Sequence, residues 1–206
     1  QELVAQAWLM AGGIYEQRDD FRKALVVYQK ALEVAQNKLP IYRALINVSL
    51  RLNNTVEASN YTAKAVELDP GNFEMLRQLG IEMVKQRKLD QAVQYLEQAR
   101  NSERLKKNTG FFVLINRDLG ILYSGLGEHS KAADCYEVIL SALLDPAQFG
   151  LDPRTRDDLQ QHSATSFERI GQVLLRDNRS DLALKALKKA RAAQKGKSGS
   201  INYLLA

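Results

Sequence analysis

A chain of 206 residues with 45% hydrophobic and 26% charged residues has the composition of an ordinary globular protein, which excludes the disordered and fibrous classes. Its 29 basic and 24 acidic side chains give a net charge of +5, a mild bias toward acidic partners and well short of a dedicated nucleic-acid binder. The single cysteine, Cys135, excludes an internal disulfide framework and a multi-cysteine zinc site.

Membrane insertion and export leave no signature in these residues. No apolar run approaches the roughly 18 to 20 residues that cross a bilayer, and we expect no membrane span in this segment. The opening residues, QELVAQAW, lack the basic segment and apolar core of a signal peptide. The compartment stays open between the cytoplasm and export by a signal outside these residues.

The predicted elements, in chain order, begin with three helical hairpins of the same length. The first helices of these hairpins contain WLMAGGIY (8–15), YRALINVS (42–49) and LRQLGIEM (76–83), in a register of 34 residues. The second helices keep the same register at Ala24, Ala58 and Ala92. Since one such hairpin cannot bury its apolar face alone, the pattern predicts hairpins that stack on their neighbours.

A corner is predicted where the second hairpin meets the third, in VELDPGNFEMLRQLG (66–80). Pro70 lacks a backbone donor and disfavours helix in the residue before it. Gly71 and Asn72 tolerate the positive φ that a sharp reversal needs. The stretch therefore predicts that the chain passes abruptly from one helix to the next.

Two further hairpins follow at wider spacings. NRDLGILY (116–123) precedes Ala132, and FERIGQVL (167–174) precedes Ala183, so the register widens to 40 and then 51 residues. The interval from the small residue of the first helix to the alanine of the second stays at 12 residues. The insertions therefore fall between hairpins and not inside them.

Each insertion predicts a local structure. The first, KNTGFF (107–112), predicts a loop that then lengthens the following helix. In the second (147–163), Asp152 followed by Pro153 is a helix-start signal, and we expect one long helix from about Pro153 to Arg176. A disordered surface loop is the alternative for this second insertion.

Small residues predict a close approach of the two helices in each hairpin, because large side chains would push the backbones apart. Four hairpins have a glycine that faces an alanine, and these pairs are Gly12 with Ala24, Gly80 with Ala92, Gly120 with Ala132, and Gly171 with Ala183. The second hairpin departs from the pattern, with Ile46 at the small position and Thr62 where the first hairpin has the aromatic Tyr28.

These motifs closely resemble the tetratricopeptide repeat, whose signature is W-x2-L-G-x2-Y, then A-x3-F, then A and P, in a 34-residue helix-turn-helix unit. The resemblance covers roughly residues 5 to 197. The first unit carries the signature at Trp8, Ala11, Gly12, Tyr15, Ala24, Tyr28 and Ala31. The resemblance implies an all-α fold, a right-handed superhelical solenoid with a concave groove.

The resemblance also implies the organisation of the chain as a single solenoid over residues 1–206. Its repeats begin at Ala5, Leu39, Phe73, Val113 and Ala164, and span about 5–38, 39–72, 73–106, 113–146 and 164–197. A helical insertion occupies 147–163. SINYLLA (200–206) begins like the first helix of a further, truncated repeat.

No motif in the sequence predicts catalysis. The two histidines, His129 and His162, have no partner at metal or triad spacing, and there is no H-E-x-x-H, phosphate-binding glycine loop or G-x-S-x-G. The RDD stretches at 18–20 and 156–158 are better explained as solvated charge at helix ends. We therefore expect a non-enzyme with no catalytic residue, metal or cofactor.

The resemblance implies that the first helix of each repeat lines the groove and binds a peptide or protein partner. Groove position 5 reads Leu9, Arg43, Arg77, Arg117 and Glu168, with Asn47, Arg51, Gln78, Lys85, Gln172 and Arg176 nearby. Guanidinium groups bind carboxylates and amides can hold a peptide backbone, so an acidic or C-terminal peptide is the expected ligand. The predicted peptide-binding residues are Arg43, Asn47, Arg51, Arg77, Gln78, Lys85 and Arg117.

Two of these residues resemble half of the carboxylate clamp by which some relatives hold chaperone C-termini. They are Arg43 and Asn47, whereas Leu114 and Asp118 stand where the rest of that clamp would have basic residues. The alternative is that the arginines are solvated or pair with Glu74 and Asp118.

Other functions remain open beside the non-catalytic scaffold. On the last predicted helix, Lys185, Lys188, Arg191 and Lys195 share one side, which could bind nucleic acid or an anionic surface, although such a stripe is more often a wet outer face. A targeting module of a larger enzyme is the third hypothesis. Nucleic acid is not the partner we expect, and a steep loss of affinity for an oligonucleotide with added salt would favour it instead.

Overall fold

The structure, a computed structural model, describes residues 1–162 and 166–193. Every regular element in those residues is an α-helix, which confirms the predicted all-α fold. The chain divides into two compact units, Gln1–Arg104 and the residues from Leu105 onward.

The first unit contains six helices that pair as three hairpins. α1 pairs with α2, α3 with α4 and α5 with α6, and each hairpin also packs on the next through α2 with α3 and α4 with α5. The helices are α1 (Glu2–Gln17), α2 (Phe21–Val34), α3 (Leu39–Arg51), α4 (Thr55–Leu68), α5 (Phe73–Lys85) and α6 (Leu89–Arg100).

The second unit contains two hairpins and one additional short helix in its described part. α7 pairs with α8 and α10 with α11, while α10 also packs against α8. The helices are α7 (Gly110–Leu126), α8 (His129–Leu144), α9 (Pro153–Gln161), α10 (Phe167–Arg176) and α11 (Ser180–Ala193). The helix pairs follow the predicted hairpins, and the division into numbered repeats stays a prediction.

Each hairpin turn contains one residue in the left-handed conformation. The φ angles are 56° at Asp19, 56° at Asn53, 59° at Arg87 and 58° at Asn178, and Gly127 takes the equivalent place with a φ of 79°. These positions repeat the 34-, 34-, 40- and 51-residue spacings of the sequence. A left-handed residue after the last helical turn ends a helix in a common way, so the same stop signal recurs in every hairpin.

The corner between α4 and α5 forms where the sequence predicts it but by a different conformation. Neither Gly71 nor Asn72 has a positive φ, so that part of the prediction is wrong. Asn72 instead caps α5, its side chain accepting a hydrogen bond from the backbone N–H of Met75 at 3.2 Å. The loop after α6 covers the corner: Ser102 Oγ donates to the Gly71 carbonyl at 2.7 Å and Arg104 pairs with Asp69 at 2.6 Å.

Glycine in the first helix makes room for a large side chain of the second helix. A Cβ atom placed on Gly80 would lie 2.7 Å from Cγ of Leu96, and one on Gly171 would lie 2.6 Å from Cγ of Leu187. Gly12 stands in the same way against Tyr28, whereas a Cβ atom on Gly120 would lie 3.1 Å from Cβ of Cys135 and 3.2 Å from the ring of Tyr136. The predicted close approach is confirmed, and the partner is a leucine or tyrosine four residues after the alanine.

The second hairpin reverses this size relationship. Ile46 occupies the position of the glycine and Thr62 the position of the large residue, and both are buried, at 4% and 2% exposure. The bulk that the second helix supplies in the other hairpins therefore comes here from the first helix. The large side chain of this pair therefore stands on α3, and α4 has the smaller one.

The two insertions differ in how far they follow the prediction. The first forms a loop, and α7 then begins at Gly110 with Thr109 as its N-cap, so the expected lengthening of that helix is confirmed. The expected single helix from Pro153 to Arg176 is wrong: α9 ends at Gln161. α10 starts after Ser166, whose ψ of 153° is incompatible with a continuous helix and whose side chain caps the new one.

One arginine joins three carboxylates in the second unit. Arg179, in the turn between α10 and α11, contacts Asp134 at 2.5 Å, Glu137 at 2.7 Å and Asp177 at 2.8 Å. These contacts raise its pKa, chiefly through the hydrogen bond to Asp134. Because Asp134 and Glu137 belong to α8, the arginine connects the last described hairpin to the one before it.

Several predictions fall outside the described residues. They concern Ala164 as the start of the fifth repeat, Lys195 in the basic stripe, and the beginning of a further helix at 200–206.

Candidate peptide-binding clefts

Two adjacent clefts open on the first unit where α3, α4 and α5 meet. Cleft 1, of about 290 Å³, lies between α4 and α5, and cleft 2, of about 250 Å³, lies between α3 and α5. Leu50, Glu74 and Gln78 line both, so these three side chains form the wall between them. We refer to the two together as the paired clefts.

Cleft 2 contains Arg43 and Asn47, two of the predicted binding residues. Both side chains are exposed, and Arg43 has no hydrogen-bond or ion-pair partner among the described residues. Asn47 donates through Nδ2 to Glu16 Oε2 at 2.9 Å. The guanidinium of Arg43 is therefore available to a ligand, whereas the amide of Asn47 is held toward α1.

Glu16 connects cleft 2 to the first hairpin. Its second carboxylate oxygen accepts a hydrogen bond from the hydroxyl of Tyr28, a buried residue of α2. Burial, followed by this hydrogen bond to a carboxylate, raises the pKa of Tyr28 well above its ordinary value. Tyr28 thus stays protonated and keeps Glu16 in place to orient Asn47.

Cleft 1 contains Arg77, Gln78 and Lys85, three more of the predicted residues. Gln78 has no hydrogen-bond partner among the described residues, so its amide can bind a peptide backbone. Lys85 pairs with Glu82 at 3.2 Å, and the two side chains are 60% and 8% exposed. The carboxylate in this pair is buried, and the ammonium faces solvent.

The wall residue Glu74 brings a negative charge into the paired clefts. It is exposed, and within the described part of the chain it makes no ion pair. The alternative in which the groove arginines are neutralised by Glu74 is therefore not what the structure shows. The clefts combine two carboxylates, Glu74 and Glu82, with three cationic side chains.

The remaining predicted residues line neither cleft. The guanidinium carbon of Arg51 lies 5.7 Å from the centre of the Phe21 ring. Arg117 is in the second unit and donates from Nε and Nη2 to one oxygen of Asp118, at 3.1 and 3.0 Å. For Arg117, the pairing with Asp118 that the sequence left as an alternative is present.

The structure also describes three other features that the sequence analysis considered: the basic residues of α11, metal sites and membrane spans. Lys185, Lys188 and Arg191 are exposed on α11. Within residues 1–162 and 166–193, no cluster of histidine, cysteine and carboxylate side chains has the arrangement of a metal site. No helix in that same part of the chain is both long and apolar enough to cross a membrane.

Comparisons with known proteins show which proteins this fold is similar to. Residues 5–38 match the family model of the tetratricopeptide repeat. A crystal structure of MamA is 21% identical, with a TM-score of 0.66 over 94% of this chain and 93% of that one. Curated protein sequences give no match.

Two further solved structures have the same fold. YrrB, described as a tetratricopeptide-repeat protein with an unusual peptide-binding site, is 20% identical, with a TM-score of 0.62 over 92% of this chain and 86% of that one. BtubC from P. vanneervenii is 22% identical, with a TM-score of 0.64 over 91% and 79% of the two chains.

The chain has the tetratricopeptide-repeat fold. In the terms of that fold, cleft 2 lies between the first helices of the second and third predicted repeats, and cleft 1 lies between the second helix of the second repeat and the first helix of the third. Sequence reasoning named five residues of the clefts and gave Glu74 only as an alternative partner of the arginines, and it missed the carboxylate of Glu82. The available signal was spacing, because Glu74 precedes Arg77 and Glu82 precedes Lys85 by three residues, which puts each pair on one helix face.

Proposed function

We propose that this tetratricopeptide-repeat chain is a non-catalytic scaffold that binds an extended peptide segment of a partner protein in the paired clefts. The observation that carries the proposal is the pair of adjacent clefts whose shared wall presents the unpartnered amide of Gln78. An amide donates and accepts at once, so Gln78 can bond a peptide backbone between two side chains that enter the clefts. An acidic segment is the favoured ligand.

The preference for acidic segments rests on Arg43. Its guanidinium lines cleft 2, is exposed and has no partner among the described residues. A ligand carboxylate can accept two parallel hydrogen bonds from such a group without displacing an existing ion pair. Arg117 is engaged by Asp118 in the second unit, and its part in binding stays a prediction.

The comparisons support a protein or peptide partner. Scaffolding is a common use of this fold, and the YrrB structure is described as having a peptide-binding site. Fold alone does not name a partner, so the clefts and not the resemblance carry the proposal. The same fold also occurs as a targeting module, and a catalytic domain in a longer form of the protein would favour that version.

A library of short peptides tests the proposal directly. Each peptide of the library contains a single aspartate, placed at a different position, and is compared with the peptide that has alanine at that position. Binding is measured by fluorescence anisotropy, and a single-stranded oligonucleotide is measured in the same assay. We expect saturable binding of the acidic peptides, reduced at least tenfold by Arg43→Glu, a loss of about 1.4 kcal/mol. Tight, steeply salt-dependent binding of the oligonucleotide, with no peptide bound, would replace the proposal with nucleic-acid binding through the basic face of α11.

A further inference from the structure

Cleft 1 exists because the second hairpin has small side chains on the face of α4 that meets α5. Ser59 and Thr62 line the cleft, together with Ala58. The first hairpin has Leu25 and Tyr28 at the positions equivalent to Ser59 and Thr62, and the third has Val93 and Leu96. Since Ile46 supplies the missing bulk from α3, the hairpin stays packed while the volume beside α4 stays open.

The deepest charge in cleft 1 is negative. Glu82 is a buried residue, 6% exposed, and Lys85 is its one ion-pair partner among the described residues. A carboxylate accepts up to about four hydrogen bonds, and burial makes incomplete pairing costly. The positive groups lie nearer to solvent: the Lys85 side chain is 60% exposed, and Arg77 is half-buried.

Apolar groups line the cleft beside this charge. Leu50, Ala58 and Ile81 supply aliphatic surface, and Ser59 and Thr62 supply small hydroxyl-bearing side chains. A long aliphatic stem that ends in a cation matches this order, because the stem packs on carbon while the head reaches a carboxylate. A ligand carboxylate would instead meet Glu74 and Glu82.

We propose that cleft 1 is a specificity pocket for a lysine or arginine side chain of the bound peptide. The inference rests on the proposed function and deepens it. On entering, the ligand cation contacts Glu82, and the ammonium of Lys85 moves further into solvent. The buried carboxylate of Glu82 then has the ligand cation, enclosed by the cleft, as its partner in place of the largely exposed ammonium of Lys85.

The position of the basic residue follows from strand geometry. Cleft 2 receives the acidic residue at Arg43, and the wall of Leu50, Glu74 and Gln78 separates it from cleft 1. In an extended peptide, side chains two residues apart point the same way and lie roughly 7 Å apart. The proposed ligand therefore has its acidic and basic residues on the same side of an extended segment, and two residues apart is the shortest spacing that allows this.

The test uses a series of short peptides with one fixed aspartate. The position two residues before the aspartate, or two residues after it, is varied among lysine, arginine, alanine, glutamate and leucine. Binding is measured by fluorescence anisotropy with the whole chain. We expect lysine or arginine in one of the two orders to bind about tenfold tighter than alanine, equivalent to roughly 1.4 kcal/mol. Glutamate should bind more weakly than alanine.

Two variants separate the pocket from the rest of the binding surface. Glu82→Gln removes the buried charge, and Ser59→Leu fills cleft 1 with the residue that the first hairpin has at Leu25. Each should reduce the preference for lysine over alanine, measured on the same variant, to within about twofold. Glu67→Gln, an exposed carboxylate of α4 outside both clefts, is the matched control.

The outcomes distinguish the two proposals. A preference for lysine that survives in both Glu82→Gln and Ser59→Leu would overturn the pocket, as would aspartate peptides that bind the wild-type chain with no preference at the second site. Either result leaves the proposed function intact. If no peptide of the series binds, the proposed function fails, and the inference fails with it.

Discussion

Gly80 of α5 lies so close to Leu96 of α6 that a Cβ atom on the glycine would stand 2.7 Å from Cγ of the leucine and 3.4 Å from the carbonyl oxygen of Ala92. The same relationship joins Gly171 to Leu187 in the second unit. The glycine is thus required by the leucine that faces it, and each such hairpin is closed by one small and one large residue.

Replacing Gly80 with alanine should therefore destabilise the first unit. The added methyl group must displace Leu96 from a fully buried position, and overpacking of this kind costs typically about 1 to 3 kcal/mol. Urea denaturation followed by circular dichroism gives the free energy of unfolding.

Gly13 provides the matched control in α1. No atom outside its own helix lies within 4 Å of a Cβ atom placed there. Gly13→Ala should stabilise the chain by roughly 0.5 to 1 kcal/mol, because alanine loses less conformational entropy in a helix. Equal effects of the two substitutions would show that contact with Leu96 does not decide the cost at Gly80.

The exchanged sizes of Ile46 and Thr62 predict strong coupling between these two positions. Ile46→Gly should leave a cavity, and Thr62→Leu should overpack the same space, each costing about 1 to 4 kcal/mol. The double variant restores the arrangement of Gly80 and Leu96, so its cost should be less than the sum by at least about 1 kcal/mol. Thermal denaturation of the four proteins measures this, and additive costs would show that the two side chains do not share one space.

Arg87 is the one left-handed residue of the hairpin turns that is neither glycine, asparagine nor aspartate. A left-handed conformation costs roughly 1 to 2 kcal/mol for most residues and less for asparagine, whose short side chain hydrogen-bonds locally. Arg87→Asn should therefore raise the free energy of unfolding by about 0.5 to 1 kcal/mol. The reverse change at the equivalent turn, Asn53→Arg, should lower it, and a loss of stability in Arg87→Asn would contradict this account of the turns.

The repeat register predicted the hairpins well, because it records which faces of the helices are buried. The starts of α3 at Leu39 and of α5 at Phe73 follow from it, as does the close approach at Gly80. The backbone conformation of single residues was harder to predict from the sequence. Positive φ was expected at Gly71 and Asn72, yet it occurs at Asn53 and Arg87, since Asn72 is used as a cap and the loop around Arg104 holds the corner.

The broken helix in the second insertion shows another limit of sequence patterns. Pro153 correctly marked a helix start, but a start signal carries no information on length. The end at Gln161 and the new start after Ser166 depend on a serine cap that a periodicity argument passes over.

The sequence predicted which positions would line the candidate site. It did not predict which of the charged side chains there would be paired or buried. Arg43 and Gln78 follow from the repeat register and line the clefts. Whether a guanidinium is available depends on its neighbours: Arg117 pairs with Asp118, and Arg43 has no such partner in the described residues. The position of Glu82 at the bottom of cleft 1 likewise depends on small residues of α4, whereas Glu82 itself belongs to α5.

The most direct test of the central claim is the affinity of one acidic peptide, chosen from the library, for the wild-type chain and two charge-reversal variants. Arg43→Glu should weaken binding at least tenfold, about 1.4 kcal/mol, because it places a carboxylate against the ligand's own. Arg22→Glu, an exposed arginine of α2 outside the paired clefts, should leave affinity within about twofold. Unchanged affinity in Arg43→Glu, or an equal loss in both variants, would contradict binding of an acidic peptide in the paired clefts.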